Sequence, residues 1–331
     1  MSAAALVALL LTGCAASAEP VVTPTPTVAA PVDTSTLRGL AAAEAVTPSL
    51  RVIDTAQSLA AEQASLVEYD SGGLTISGVL RIPPGDGPFP AVVVVHGAVD
   101  PERYQPGGDL VSEQRALVEA GYVVLATDLR GYAESDPVPG DEGWDTSSGF
   151  GWLGSLDWGM GWDVVNALRI FRGGAVPEVD TERIGLVGHS LGGLLSLGAA
   201  VVAPDATDVV VSLSAPSSQV WDAVEMMLPP DSPEYAQIVE QHGTPQDDPQ
   251  YWADISPRTF IDGETPPLLL IHGGGDDTTS PQWSLDTADA WNAAGSRAEV
   301  FIIDGADHAL APDRAQATAY VLGALDLVLK P

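Results

Sequence analysis

Residues 183–199, RIGLVGHSLGGLLSLGA, decide the fold of this chain. The stretch begins with a short apolar run, turns through GHSLGG and continues as an apolar segment suited to a helix. A Gly-x-Ser-x-Gly turn between a strand and a helix is typical of the nucleophile elbow, in which small residues flank a serine at strained backbone angles. We therefore predict that Ser190 is a nucleophile. We also predict that the amide of Leu191, at the start of the helix, faces a developing oxyanion.

The rest of the chain has the pattern of an α/β protein. Strand-like runs are predicted at residues 66–69, 74–82, 91–95, 122–127, 184–187, 209–213, 268–271 and 298–303. Helical spacing between these runs predicts a mostly parallel, doubly wound sheet covered on both faces. Residues 65–331 would form this domain, with a small helical insertion at about residues 217–263.

The charge balance of the sequence bears on the class of binding partner. The chain has 331 residues, of which 45 are acidic and 13 basic, so that the formal net charge is −32. A nucleic-acid partner is not expected, because binding to phosphates requires a basic surface.

The N-terminal region resembles a bacterial lipoprotein signal. Residues 1–11 form a short apolar run, and small residues precede Cys14, the only cysteine. We expect residues 1–14 to be a signal peptide ending at a lipidated Cys14, and residues 15–64 to be a Pro/Thr/Ala-rich tether and extension. The protein would be exported and anchored on the extracytoplasmic side of a membrane, with secretion as the alternative. One departure is that no lysine or arginine precedes Arg38.

A nucleophilic serine needs a base, and the chain offers five histidines: His96, His189, His242, His272 and His308. The elbow order serine, acid, histidine places the base after the last strand. Only His308 lies there, so we predict that His308 is the base. The acid is expected after the preceding strand, where Asp276 is favoured and Asp277 is the alternative.

The sequence also offers candidates for the second oxyanion donor and for the substrate pocket. The second oxyanion donor is expected after the strand at residues 91–95, from the amide of Ala98 or Val99. Candidate substrate-pocket residues are Val99, Tyr132, His189 and Trp158. Four tryptophans crowd one glycine-rich loop: Trp144, Trp152, Trp158 and Trp162. We expect these rings to pack the loop onto the domain, with an aromatic wall for substrate as the alternative.

The motifs resemble those of the α/β-hydrolase fold, and within it the prolyl-oligopeptidase and dienelactone-hydrolase branches. The resemblance is carried by His96-Gly97, by DLRGYAES at residues 128–135, by DTERIGLVGHSLGG at residues 180–193, and by DISP before PLLLIHGGGD at residues 267–276. It implies a triad of Ser190, Asp276 and His308.

The chain departs from these branches at three places. The region before the domain is too short for the β-propeller of large oligopeptidases. A valine and a proline usually follow the aspartate in these branches, but here the run is Thr278-Thr279-Ser280-Pro281, and Ala133 replaces the usual glycine.

The resulting expectation is a serine hydrolase that cleaves carboxylic esters through an acyl-enzyme intermediate, with a small ester or short peptide as substrate. Two alternatives are an exopeptidase of the prolyl-oligopeptidase type and a non-catalytic surface-binding lipoprotein. No metal or organic cofactor is expected, and the oligomeric state is left open.

Overall fold

A computed structural model describes residues 32–54, 64–137 and 151–330. The predicted lipidation site Cys14, most of the tether and Trp144 lie outside the described residues. One sheet organises the described part of the chain. Its strands are β1 Leu50–Asp54, β2 Ala64–Ser71, β3 Leu74–Arg81, β4 Phe89–Val95, β5 Val123–Thr127, β6 Val179–His189, β7 Val209–Leu213, β8 Leu268–Gly273 and β9 Ala298–Ile303.

The strand order is β1-β2-β3-β5-β4-β6-β7-β8-β9. The pairs from β1 to β5 are antiparallel, and the pairs from β5 to β9 are parallel. The predicted α/β fold with a mostly parallel sheet is confirmed. All eight predicted strands are present.

Ten α-helices are described. They are α1 Leu37–Ala41, α2 Val111–Glu119, α3 Gly151–Ser155, α4 Gly159–Arg172, α5 Leu191–Val202, α6 Val220–Met227, α7 Pro233–His242, α8 Pro249–Asp254, α9 Pro281–Ala293 and α10 Arg314–Leu329. The short helices α6 to α8 lie in the predicted insertion between β7 and β8. No helix among the described residues is long and apolar enough to cross a membrane.

Helices cover both faces of the sheet, as the run of valines in β4 requires. Side chains alternate across a strand, so Val93 and Val95 belong to one buried cluster while Val92 and Val94 belong to the other. The first cluster includes residues of α4, α5 and α9, and the second includes residues of α2 and α10. A strand that is buried on both faces has no polar side, which explains its continuous apolar sequence.

Residues before position 65 also belong to this architecture. The sequence predicts a domain that starts near residue 65, but β1 pairs with β2 at the edge of the sheet. Leu37 and Leu40 of α1 are fully buried in the first cluster. Of the described part of the predicted extension, α1 therefore packs into the core and β1 extends the edge of the sheet.

Candidate active site

The serine turn has the strained geometry that the sequence predicts. Ser190 lies between β6 and α5 with φ of 54°, a left-handed value that is uncommon for a residue with a side chain. A Cβ at Gly188 would overlap the carbonyl of Gly192, and a Cβ at Gly192 would overlap the carbonyls that end β4. Both glycines are therefore required for α5 to pack closely against the strands, and this packing presents Ser190 at the carboxyl edge of the sheet.

The structure brings the three predicted triad residues into contact. The Ser190 hydroxyl lies 2.9 Å from His308 Nε2, and His308 Nδ1 lies 2.8 Å from Asp276 Oδ2. A carboxylate only accepts hydrogen bonds, so Nδ1 carries the proton and Nε2 is free to accept from the hydroxyl. This tautomer is the one that a general base for Ser190 needs.

Asp276, the favoured candidate, is the carboxylate that contacts His308, whereas Asp277 is exposed. Asp276 Oδ1 accepts hydrogen bonds from the amides of Thr278 and Thr279 at 2.8 and 2.9 Å, and Asp276 Oδ2 accepts one from the Thr279 hydroxyl at 2.8 Å. Burial alone would raise the pKa of Asp276, but hydrogen bonds from His272, His308 and these amides outweigh it and hold the pKa well below its usual range. Asp276 is therefore a fixed negative charge beneath the imidazole.

The two predicted oxyanion donors line one cavity together with the serine. Ala98 and Leu191 both line a cavity of about 240 Å³ that also contains Ser190 and His308. Leu191 is the first residue of α5, so its amide is among those that a helix leaves without an internal partner.

The walls of this cavity are largely apolar, and we call it the apolar cavity. The apolar side chains that line it are Trp152, Leu153, Leu194, Pro216, Ala223 and Met227. None of the described residues that line it is a carboxylate.

A second cavity, of about 370 Å³, shares Ala98, Ser190 and His308 with the first. We call it the polar cavity, because Arg103, Gln105, Asp109 and His189 contribute to its walls. The serine thus borders two spaces of different chemistry.

Two of the four predicted pocket residues line the site. Val99 and His189 line the polar cavity. Tyr132 does not line either cavity and instead packs edge-on against His96, with ring centroids 4.5 Å apart. The prediction for Trp158 is corrected: its side chain is 0 % exposed and lies in the core, where it fills the space that Gly198 leaves open.

The alternative of an aromatic wall holds for one of the described tryptophans of the glycine-rich loop: Trp152 lines the apolar cavity, and Met227 lines it from the insertion. Sequence reasoning missed Asp109, which contacts His189 Nδ1 at 2.8 Å. Its only signal in the sequence is an aspartate directly after Gly107-Gly108 and before a helix.

Comparison with known proteins agrees with this geometry. The sequence model of the prolyl oligopeptidase family matches residues 162–325, and that of the X-Pro dipeptidyl-peptidase family matches residues 72–227. The first match contains all three residues of the triad. No functionally curated protein matches the chain.

Three solved structures illustrate the fold. Est1E from Butyrivibrio proteoclasticus, in complex with ferulic acid, is 19% identical with a TM-score of 0.56 over 78% of this chain and 98% of that one. The acetyl xylan esterase from Paenibacillus sp. R4 is 21% identical with a TM-score of 0.62 over 87% and 92%. The acylaminoacyl peptidase of Pyrococcus horikoshii is 19% identical with a TM-score of 0.60 over 80% of this chain but 41% of its own. At such identities the likeness shows the fold alone.

Proposed function

Because the chain is an α/β-hydrolase-fold serine hydrolase related to the prolyl oligopeptidase family, we propose that it cleaves carboxylic esters through an acyl-enzyme intermediate. The observation that supports the ester most directly is the apolar cavity beside Ser190, which has room for an acyl chain and, among the described residues that line it, no carboxylate. Burying each methylene of an acyl chain there would contribute about 0.8 kcal/mol.

The hydrogen bonds of the triad assign a role to each residue. Ser190 Oγ attacks the ester carbonyl carbon and gives its proton to His308 Nε2, while the amides of Leu191 and Ala98 stabilise the oxyanion. His308 then donates that proton to the leaving alkoxide as the carbon–oxygen bond breaks, and the acyl group stays on Ser190. A water molecule then gives a proton to His308 and attacks the acyl carbon. The bond to Ser190 Oγ breaks, Ser190 takes the proton back from His308, and the carboxylic acid is released. Asp276 orients His308 and stabilises its cationic form.

The two cavities divide the substrate between them. We place the acyl group in the apolar cavity and the alcohol in the polar cavity, where Gln105 and Arg103 offer hydrogen bonds. His308 lines both cavities, so it reaches the leaving oxygen on either side.

A second candidate is a serine peptidase, which the matches to two peptidase families favour. An exopeptidase that takes a free N-terminus needs acidic side chains beside the nucleophile. Among the described residues that line the two cavities, the carboxylate is Asp109, and it is already bound to His189 and to the amide of Gly97. We therefore place the peptidase second.

A substrate panel separates the two candidates. Purified protein is assayed on nitrophenyl esters from acetate to decanoate and on aminoacyl and dipeptidyl nitroanilides, with Ser190→Ala as the inactive control. We expect ester hydrolysis with a preference among chain lengths. Efficient cleavage of the nitroanilides with negligible turnover of every ester would instead establish the peptidase.

The acyl assignment has a matched pair of variants in α6. Met227 lines the apolar cavity, whereas the adjacent Met226 is 47% exposed to solvent. We expect Met227→Ala to move the preferred acyl chain to a longer one and Met226→Ala to leave it unchanged. An identical chain-length profile for both variants would remove the acyl group from this cavity.

We also propose that the protein is exported and tethered to a membrane through a lipid on Cys14. The support is the apolar run and the small residues that precede this cysteine. Fractionation of cells that express the full chain tests it. The wild type should remain with the membranes and Cys14→Ala should be released, whereas equal distribution of the two would exclude the anchor.

A further inference from the structure

A second histidine–carboxylate pair lies next to the triad, and the mechanism above does not use it. His189 immediately precedes the nucleophile, and its Nδ1 lies 2.8 Å from Asp109 Oδ2. Its Nε2 lies 3.1 Å from the backbone carbonyl oxygen of His308. The two imidazole rings are 5.2 Å apart, centroid to centroid.

Both ring nitrogens of His189 therefore contact groups that accept hydrogen bonds. A carbonyl oxygen has no proton to give. Asp109 Oδ2 also accepts from the Gly97 amide at 3.0 Å, and Oδ1 accepts from the Leu110 amide at 2.8 Å, as expected of an ionised carboxylate. A neutral imidazole carries one N–H and satisfies only one of these two contacts.

We propose that His189 is a doubly protonated imidazolium that bridges Asp109 and the carbonyl of His308, and that it acts as a positioning residue for the base of the triad. The role in positioning rests on the proposed function, since it concerns His308 as the base. The protonation state rests on the geometry of the pair alone.

The bridge ties together three loops that each carry part of the site. Asp109 holds the amide of Gly97, which directly precedes the oxyanion candidate Ala98. His189 belongs to the serine turn, and its Nε2 holds the loop of His308. Asp109 has φ of 59°, a strained value for a residue with a side chain. Such strain persists only where surrounding contacts hold it in place. Asp109 is held by His189, by the amides of Gly97 and Leu110, and by the side chain of Gln114, which donates to its carbonyl.

The charges around His189 favour the imidazolium. Burial alone would lower the pKa of His189, but the hydrogen bond to Asp109 and its negative charge outweigh burial and raise the pKa above its ordinary value. The positive charge of Arg314, on α10, acts in the opposite direction and lowers the pKa of His189. The Arg314 guanidinium lies 4.0 Å from Asp109 and is itself paired with Glu113 of α2 at 2.9 Å.

The other charged groups near the bridge are largely balanced. Arg103, across the polar cavity, is paired with Asp100 at 3.2 Å. The ring of His308 also faces His189, and Tyr104 lines the same cavity.

The bridge makes turnover sensitive to alkaline pH. As the pH rises through the pKa of His189, the ring loses one proton, and the remaining proton stays on Nδ1 beside the charged Asp109. The bond to the His308 carbonyl is then lost and the base is less well held. Misplacement of a catalytic group by about 1 Å costs on the order of 10²-fold in rate, so we expect kcat to fall while KM changes little.

Histidine NMR on the intact protein tests the protonation state without any substrate. With five histidines in the chain, selective ¹⁵N labelling resolves each ring. At about pH 7.5 an unperturbed imidazole is mostly neutral. We expect one ring to show both nitrogens protonated at this pH, and His189→Gln to remove that signal. Should every ring show at least one unprotonated nitrogen, the imidazolium is excluded, whether or not the protein hydrolyses esters.

Kinetics test the positioning role. For His189→Gln we expect kcat on the best ester to fall by about tenfold to 10²-fold, KM to change by less than about threefold, and the alkaline fall in kcat to disappear, because the amide does not titrate. The matched control is His242→Gln, since His242 stacks on Tyr251 in the insertion, away from the triad. A wild-type rate and pH profile in His189→Gln would overturn the positioning role. An inactive wild type with the imidazolium signal intact would instead refute the proposed function alone.

Discussion

The two histidine–carboxylate pairs at the sheet edge share one geometry and differ in a single partner. His308 Nδ1 to Asp276 and His189 Nδ1 to Asp109 are both 2.8 Å contacts with one carboxylate oxygen. The far nitrogen of His308 contacts the Ser190 hydroxyl, which can donate a proton, whereas that of His189 contacts a carbonyl, which cannot. The comparison teaches that the partner of the second nitrogen, rather than the carboxylate, separates a general base from a fixed cation.

The largest expected effect comes from the carboxylate of the triad. Asp276→Asn replaces the acceptor beneath His308 Nδ1 with an amide and favours the wrong tautomer of the base. We expect kcat for esters to fall by about 10⁴-fold with KM largely unchanged. The control is Asp277→Asn, whose side chain is exposed and whose rate should stay near that of the wild type. Equal losses in the two variants would mean that the orienting acid is misassigned.

The second pair should be visible in folding stability. Because the folded pKa of His189 is raised, its contribution is complete below its unfolded pKa of about 6.5 and is lost as the pH rises through the folded value. Burial would raise the pKa of Asp109, but hydrogen bonds from His189 and from backbone amides lower it. Its contribution is therefore present above about pH 3.9 and is lost as the pH falls through the folded value.

These signs predict a pH-dependent difference between wild type and Asp109→Asn. We expect the variant to unfold in urea with about 2 kcal/mol less free energy near pH 6, the order of a hydrogen bond to a charged group, and with a smaller deficit near pH 9. A deficit that grows from pH 6 to pH 9 would contradict a protonated His189.

The smallest expected effect on kcat comes from the hydroxyl of Thr279, which contacts two members of the triad, Asp276 and His308. Thr279 Oγ1 lies 2.8 Å from Asp276 Oδ2 and 3.2 Å from His308 Nδ1. Thr279→Val keeps the shape and removes this hydrogen bond, which is worth about 1 kcal/mol. We expect kcat to fall about fivefold. The amide of residue 279 still binds Asp276, so a loss as large as that of Asp276→Asn would show that the hydroxyl has a greater role than orienting the carboxylate.

Much of the architecture could be predicted because its signals are local. The apolar runs of β4 and β5 are each buried in the sheet. The glycines around Ser190 are needed because a side chain there would overlap neighbouring backbone atoms. The positions of Asp276 and His308 could be predicted because each lies in the loop that follows a parallel strand, and these loops lie at the same edge of the sheet.

The features that were missed depend on contacts between distant residues. The strand β1 forms by pairing with β2, whereas the composition of residues 15–64 predicts a tether and extension. Asp109 meets His189 across 80 positions of chain. Trp152 and Trp158 have similar sequence surroundings, and their packing decides which ring lines the cavity and which enters the core.

The central claim, that Ser190 is the nucleophile activated by His308, is tested most directly by covalent labelling. The protein is treated with a fluorophosphonate probe, and the adduct is mapped by mass spectrometry in the wild type, Ser190→Ala and His308→Gln. We predict one adduct on Ser190 in the wild type, none in Ser190→Ala, and labelling slowed by orders of magnitude in His308→Gln. Undiminished labelling of Ser190→Ala, or rapid labelling of His308→Gln, would contradict the account.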